Sequence, residues 1–297
     1  MSLCHVAEIL TPKRFCLFGL WYGPHFAEAS KDKSKKPKRV FIFVHGLTSS
    51  VFGGVARKIM PMLVDKETAV LTFNNRGYGI VNRISGKRSL LAGAAHEVFT
   101  DCIDDIRGAV LYAKKSGAKE IYLVGHSTGC QKIVYYAAKT GKKSKVNGLV
   151  LLAPVSDYAG AAKRHGKQKL ALATQVAHAL IKKGRPHELL PKELWSEELD
   201  DAQRFISLYT PKSKEEIFCY AQAGKQPIAL RQVRIPILTL WAGKDEYADR
   251  PASQIAAWFA AHTHRGKVVV VPNVKHGFKS VKTSVVRTIR QWKESEK

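Results

Sequence analysis

The chain has 297 residues, long enough for one large α/β core or two modest domains, and with 45% hydrophobic and 9% aromatic residues it can cover both faces of a sheet. Its 49 Lys and Arg against 24 Asp and Glu leave a formal charge of +25, which predicts salt-dependent attraction to nucleic acid, acidic membranes or anionic substrates and says nothing of fold. The five cysteines are odd in number and scattered, which suggests neither a disulfide framework nor metal-ligand spacing, and no run reaches the roughly 20 apolar residues of a membrane span.

From the start, Met1 to Leu10 carries His5 and Glu8 and lacks the apolar stretch of a secretory signal, so a cytoplasmic, reducing location is expected. The segment through Trp21-Tyr22-Gly23-Pro24 reads as antiparallel strands extending a sheet at one edge. Lys31 to Arg39, which contains Lys35-Lys36-Pro37-Lys38-Arg39, reads as a solvated loop between early strands. The alternative is a nuclear-import or nucleic-acid patch, but no zinc-finger, homeodomain or RNA-recognition pattern accompanies it.

Short β-branched runs then alternate with longer segments of helical period, the pattern of a parallel sheet with helices on both faces. The expected strands are Val40 to Val44, Ala69 to Phe73, Ile121 to Val124, Leu149 to Ala153, Ile237 to Trp241 and Val268 to Val271. Phe99, Ile103, Ile106, Val110 and Ala113 form a helical stripe that stops at Ser116-Gly117, and Val281, Val285, Ile289 and Trp292 form another near the end. Residues 156–229 break the rhythm. Leu170, Ala173, Ala177 and Leu180 give a helix ending near Gly184, Pro186 and Pro191 interrupt, and Ser213 with Glu216 fits a capping box opening a later helix. Helices inserted between sheet strands belong above the strands' carboxyl ends, so residues 1–297 are expected to form one domain in which 156–229 is a lid.

Gly125-His126-Ser127-Thr128-Gly129 falls between the strand ending at Val124 and a helical segment through Ala138. This is a nucleophile elbow, in which small residues permit a sharp turn that projects the serine hydroxyl from the top of the sheet. A hydroxyl of ordinary acidity needs a base, and His276, in the loop Val274-Lys275-His276-Gly277-Phe278 after the last strand, can supply it. Asp245 leaves the strand Ile237 to Trp241 and can orient that imidazole, with Glu246 and Asp249 as nearby rivals. Backbone N–H groups of Thr128 and Leu47 are the expected oxyanion donors. His126 is expected to point elsewhere, and His45 to brace its loop. The glycine-rich Phe73-Asn74-Asn75-Arg76-Gly77-Tyr78-Gly79 lacks the lysine and hydroxyl of a phosphate loop and is expected to floor the pocket. Asp101, Asp104 and Asp105 have a metal-like spacing that a solvated helix face explains.

Together these residues resemble the α/β-hydrolase superfamily from about Val40 to Trp292, in the order Ser, Asp, His that marks this architecture. Gly125-His126-Ser127-Thr128-Gly129-Cys130-Gln131, Ala153-Pro154-Val155-Ser156-Asp157 and Gly243-Lys244-Asp245-Glu246-Tyr247 look like the branch that includes fungal siderophore esterases, which cleave esters between hydroxamate units. The superfamily resemblance implies an α/β-hydrolase fold, a triad at Ser127, Asp245 and His276, an acyl-enzyme, and no cofactor or metal. It does not carry a siderophore substrate over to the basic segment Lys163 to Lys192.

Hydrolysis of a small carboxylic ester, anionic ones included, is thus the leading reading. A non-catalytic protein of the same fold that binds nucleic acid or anionic lipid is the alternative from another class, and an acyltransferase would use the same triad. Oligomeric state and acyl chain length stay open.

Overall fold

The computed structural model describes residues 4–24, 36–86 and 89–296. Most of the basic run from Lys31, namely residues 31–35, lies outside them. In chain order come β1 (Cys4–Leu10), β2 (Cys16–Tyr22), β3 (Arg39–Val44), α1 (Gly54–Lys58), β4 (Thr68–Phe73), β5 (Asn82–Ile84), β6 (Leu90–Ala92), α2 (Cys102–Lys115), β7 (Glu120–His126), α3 (Thr128–Thr140) and β8 (Gly148–Leu152). Then follow α4 (Asp157–His165), α5 (Lys167–Lys182), α6 (Ala202–Tyr209), α7 (Ile228–Gln232), β9 (Ile237–Ala242), α8 (Ala252–His262), β10 (Gly266–Val271) and α9 (Lys282–Ser295).

Eight strands form one sheet in the order β1-β2-β4-β3-β7-β8-β9-β10, and β5 and β6 make a separate hairpin. β1 pairs antiparallel to β2 and β2 antiparallel to β4, as the early segment suggested, and the pairs from β4 to β10 are parallel. Every residue of β3, β4, β8 and β9 is buried, because helices cover both faces and leave no polar-out side to alternate with. β1, at the edge, alternates toward its end and exposes Val6 and Leu10. Along β3 the period of two sends Val40, Ile42 and Val44 to one face with Ile106, Ile133 and Phe259, and Phe41 and Phe43 to the other with Val55, Val285 and Trp292. All six strands expected from sequence are present, and the two apolar stripes lie on α2 and α9 except for their first residues, Phe99 and Val281, which precede those helices.

A third apolar cluster forms between β8 and β9, around Leu170, Ala173 and Ala177 of α5, Trp195, and Phe205, Leu208 and Tyr209 of α6. A buried ionic chain joins this region to the sheet. Lys132 on α3 meets Glu97 at 2.6 Å, Glu97 meets Arg204 on α6 at 3.3 Å, and Arg204 meets Glu215 at 2.6 Å. Burial opposes the charge on Glu97, but Lys132 and Arg204 outweigh it and hold that carboxyl below its usual range.

Three expectations are corrected. No helix starts at Ser213, although its Oγ accepts from Glu216 N–H at 3.1 Å as a cap would. Residues 215–220 are all buried, and a helix could bury only one of its faces; Glu216 turns instead to Ser156 Oγ at 2.7 Å. Asp104 and Asp105 are not a solvated face. They are buried around the Arg76 guanidinium, with Nη2 to Asp104 at 3.1 Å, Nε to Asp105 at 2.7 Å and Nη1 to Asp101 at 3.2 Å. Finally, the 73–79 segment does not floor the serine's pocket, since Arg76 lines a different cavity.

Candidate active site

Ser127 stands between the end of β7 and the start of α3 with φ of +54°, a conformation that non-glycine residues hold only where the surroundings enforce it. The enforcement comes from close backbone approach. A Cβ on Gly129 would lie 2.1 Å from the Val44 carbonyl oxygen, and one on Gly46 would lie 2.8 Å from Ser127 Cβ, so neither position admits a side chain without displacement. The loop after β3 is thereby pressed against the elbow.

His276 lies in the loop between β10 and α9. Its Nδ1 is 2.8 Å from Asp245 Oδ2, in the loop after β9, and the Asp245 side chain is fully buried. The second oxygen, Oδ1, accepts from Tyr247 N–H at 3.0 Å, so both carboxylate oxygens are fixed. Of the rivals, Glu246 accepts from the backbone N–H of His276 at 3.0 Å and Asp249 pairs with Arg250 at 2.8 Å. Burial raises the Glu246 carboxyl, but that N–H, with a further backbone N–H and the nearby Lys275, outweighs it and leaves it below its usual range.

Ser127 and His276 line one cavity of about 180 Å³ together with Gly46, Leu47, Thr48, His126 and Tyr247. Thr128 is the first residue of α3, where a helix has N–H groups without intrahelical acceptors. From the segment between β8 and β9 come Asp157, Arg164, Glu197, Glu198 and Tyr209. That lining carries three carboxyl groups against one guanidinium, in contrast to the basic composition of the chain as a whole. Arg164 is engaged by Glu197 and lies over the Tyr247 ring at 5.3 Å. Burial, with Glu215 and Glu216 nearby, pushes the Asp157 carboxyl well up.

Two contacts escaped the sequence reading. His126 does turn to a backbone carbonyl, that of His276 at 3.0 Å, yet its ring lies 4.8 Å from the His276 ring and lines the cavity. Burial and the adjacent His276 lower its pKa to about 3, so it is neutral and its Nε2–H can donate. The Tyr247 and His276 rings also meet in a T-shaped contact, 4.8 Å between centroids. A tyrosine two residues beyond the acid was a signal available in Asp245-Glu246-Tyr247. His45 is buried with Nδ1 2.9 Å from Gly46 O, in keeping with a bracing role, and burial and Lys132 lower its pKa to about 4.

The molecule is similar in structure to Est1E from Butyrivibrio proteoclasticus with ferulic acid bound, with a TM-score of 0.63 and 16% identity over 98% of this chain and 99% of that one. A soluble variant of monoglyceride lipase from Saccharomyces cerevisiae, in complex with a substrate analog, gives a TM-score of 0.62 and 13% identity over 98% and 97% of the two chains. These likenesses establish the α/β-hydrolase fold. In sequence, 125 residues are 29% identical to UPF0613 protein PB24D3.06c of Schizosaccharomyces pombe, a match spanning 39% of this chain and only 40% of that relative. Residues 24–265 match the family described as Protein of unknown function (DUF1749), and the chain belongs to that family.

Proposed function

We propose that the protein is a serine hydrolase that cleaves a carboxylic ester, with Ser127 as nucleophile, His276 as general base and Asp245 as the orienting acid. One observation carries this reading: the Asp245–His276 bond of 2.8 Å ends on an imidazole that shares a cavity with a serine held at φ of +54°. With Nδ1–H donating to Asp245, the His276 lone pair resides on Nε2, ready to take the serine proton. Ser127 Oγ then attacks the carbonyl carbon, and the N–H groups of Thr128 and Leu47 receive the charge that develops on its oxygen. His276 returns the proton to the leaving alcohol, and water repeats the sequence to release the acid. His126 positions the His276 backbone.

The segment 156–229 is assigned as a cap. In support, it contributes five residues to the cavity lining and is tied to α3 through Glu97. The likeness to an esterase and a lipase agrees with ester chemistry. Ser127→Ala should abolish both turnover of p-nitrophenyl acetate and labelling by a fluorophosphonate probe, with an unchanged far-UV spectrum. Turnover equal to the parent's would end the assignment.

A further inference from the structure

Away from the serine, two histidines and an aspartate converge where the cap meets the sheet domain. His96 ends the short turn after β6, while His187 and Asp201 come from the segment between α5 and α6. His96 Nδ1 and His187 Nδ1 each lie 2.9 Å from the same oxygen, Oδ2 of Asp201. The three ligand-type atoms fall within 4.8 Å of one another. Asp201 is completely buried, whereas the His187 side chain is 59% exposed, so the cluster has a fixed base and an open side.

We propose that His96, His187 and Asp201 bind a zinc-class divalent cation that staples the cap to the sheet domain. Zinc takes imidazole nitrogen and carboxylate oxygen at about 2.0–2.2 Å, which in a tetrahedral site sets ligand atoms roughly 3.4 Å apart. Reaching that value requires both 2.9 Å spacings to Asp201 to lengthen and the two nitrogens, now within 4.8 Å of each other, to take the same separation; the exposed His187 has room to rotate, and the nearly buried His96 must shift as well. The base is rigid. Asp201 Oδ1 accepts from Arg204 N–H at 2.7 Å at the start of α6, and the Asp201 N–H donates to Ala95 O at 2.9 Å. Ala202 N–H donates to Glu188 O at 2.9 Å and Gln203 N–H to Pro186 O at 3.0 Å, so backbone bonds hold all three ligand-bearing segments together.

His96 and His187 also line a cavity of about 230 Å³ that includes Leu90, Leu91 and Val98. Space on that side admits a fourth ligand such as water. Coordination forms three bonds to the ion, each using a lone pair, and requires both Nδ1 atoms to be free of protons. In neutral imidazoles the ring proton moves from Nδ1 to Nε2, so none is released and no oxidation state changes. The imidazole-rich set selects zinc over magnesium or calcium, which prefer all-oxygen sites.

The test is a titration of the full chain, stripped with chelator and desalted, with Zn²⁺ alone in competition with a chromophoric zinc indicator. One equivalent should bind, and His187→Ala and Asp201→Asn should each weaken it by at least roughly tenfold, the lower end of what losing even an outer-shell partner costs. His178→Ala, an exposed histidine on α5, should leave binding unchanged. Zinc should also raise the melting temperature of the parent and not of His187→Ala. Absence of a tight equivalent in the parent, or equal uptake by the parent and His187→Ala, would overturn the proposal. Asp201 caps α6, so His187→Ala, altered on the exposed side, keeps the test decisive if Asp201→Asn fails to fold.

Discussion

Two carboxylates lie against His276, and they touch different parts of it. Asp245 reaches the ring and Glu246 the backbone N–H. An amide at 245 would present a donor or a weaker acceptor to Nδ1 and release the tautomer that leaves Nε2 unprotonated. Asp245→Asn should therefore lower kcat by about 10⁴-fold. Glu246→Gln keeps an oxygen for the same N–H and should cost less than about tenfold. Steady-state kinetics on one p-nitrophenyl ester would compare them, and a larger loss at Glu246 would transfer the orienting role. At this scale the sequence was informative wherever a role depends on chain neighbours. The elbow was legible because Gly125, Ser127 and Gly129 solve a local steric problem. The contact of His126 with His276 was not, because 150 residues separate them and only the adjacency of β7 and the 272–278 loop brings them together.

Among the elements, the strands were readable because parallel strands covered on both faces must be continuously apolar. What failed was the reading of polar residues, whose environment depends on distant partners. Asp104 and Asp105 look like a solvated helix face until Arg76 arrives from the loop after β4. His96, His187 and Asp201 lie 91 and 14 residues apart in sequence and follow no ligand spacing, so nothing marked them before folding. Glu216 has a testable consequence of the same kind. Burial raises its pKa to about 7, against the lowering effects of its bonds to Ser156 and Gln222 and of Lys225. The unfolded chain releases this proton at about pH 4.3. Between those values the folded state binds more proton than the unfolded one, so this group's contribution to stability is full below about pH 4.3 and is lost as pH rises through 7. Glu216→Gln, which cannot ionise, should therefore melt a few degrees higher than the parent at pH 8, on the order of 1–3 kcal/mol. The gain should vanish at pH 4.5. Thermal melts of both proteins at the two pH values decide it, and parallel pH slopes would mean that Glu216 is ionised throughout or equally solvated in both states.

For the whole molecule, a charge of +25 suggests a preference for anions, yet the cavity beside Ser127 is lined differently. Surface charges more than about 8 Å away are screened at physiological salt, so the groups at the cavity decide selectivity. There Arg164 is occupied by Glu197, Asp157 is pushed toward its neutral form, and Glu198 adds a further carboxyl. The distributed positive field can hasten the approach of an anionic ester at low ionic strength. It cannot stabilise that ester's carboxylate at the point of attack. In about 0.15 M salt, kcat/KM for p-nitrophenyl acetate should therefore equal or exceed that for the p-nitrophenyl monoester of succinate. Glu198→Gln should raise the succinate value several-fold and leave the acetate value nearly unchanged. If the succinate ester were instead the better substrate by tenfold, and indifferent to Glu198→Gln, the long-range field of the lysines and arginines would have to reach into the cavity, and the local account of its selectivity would fail.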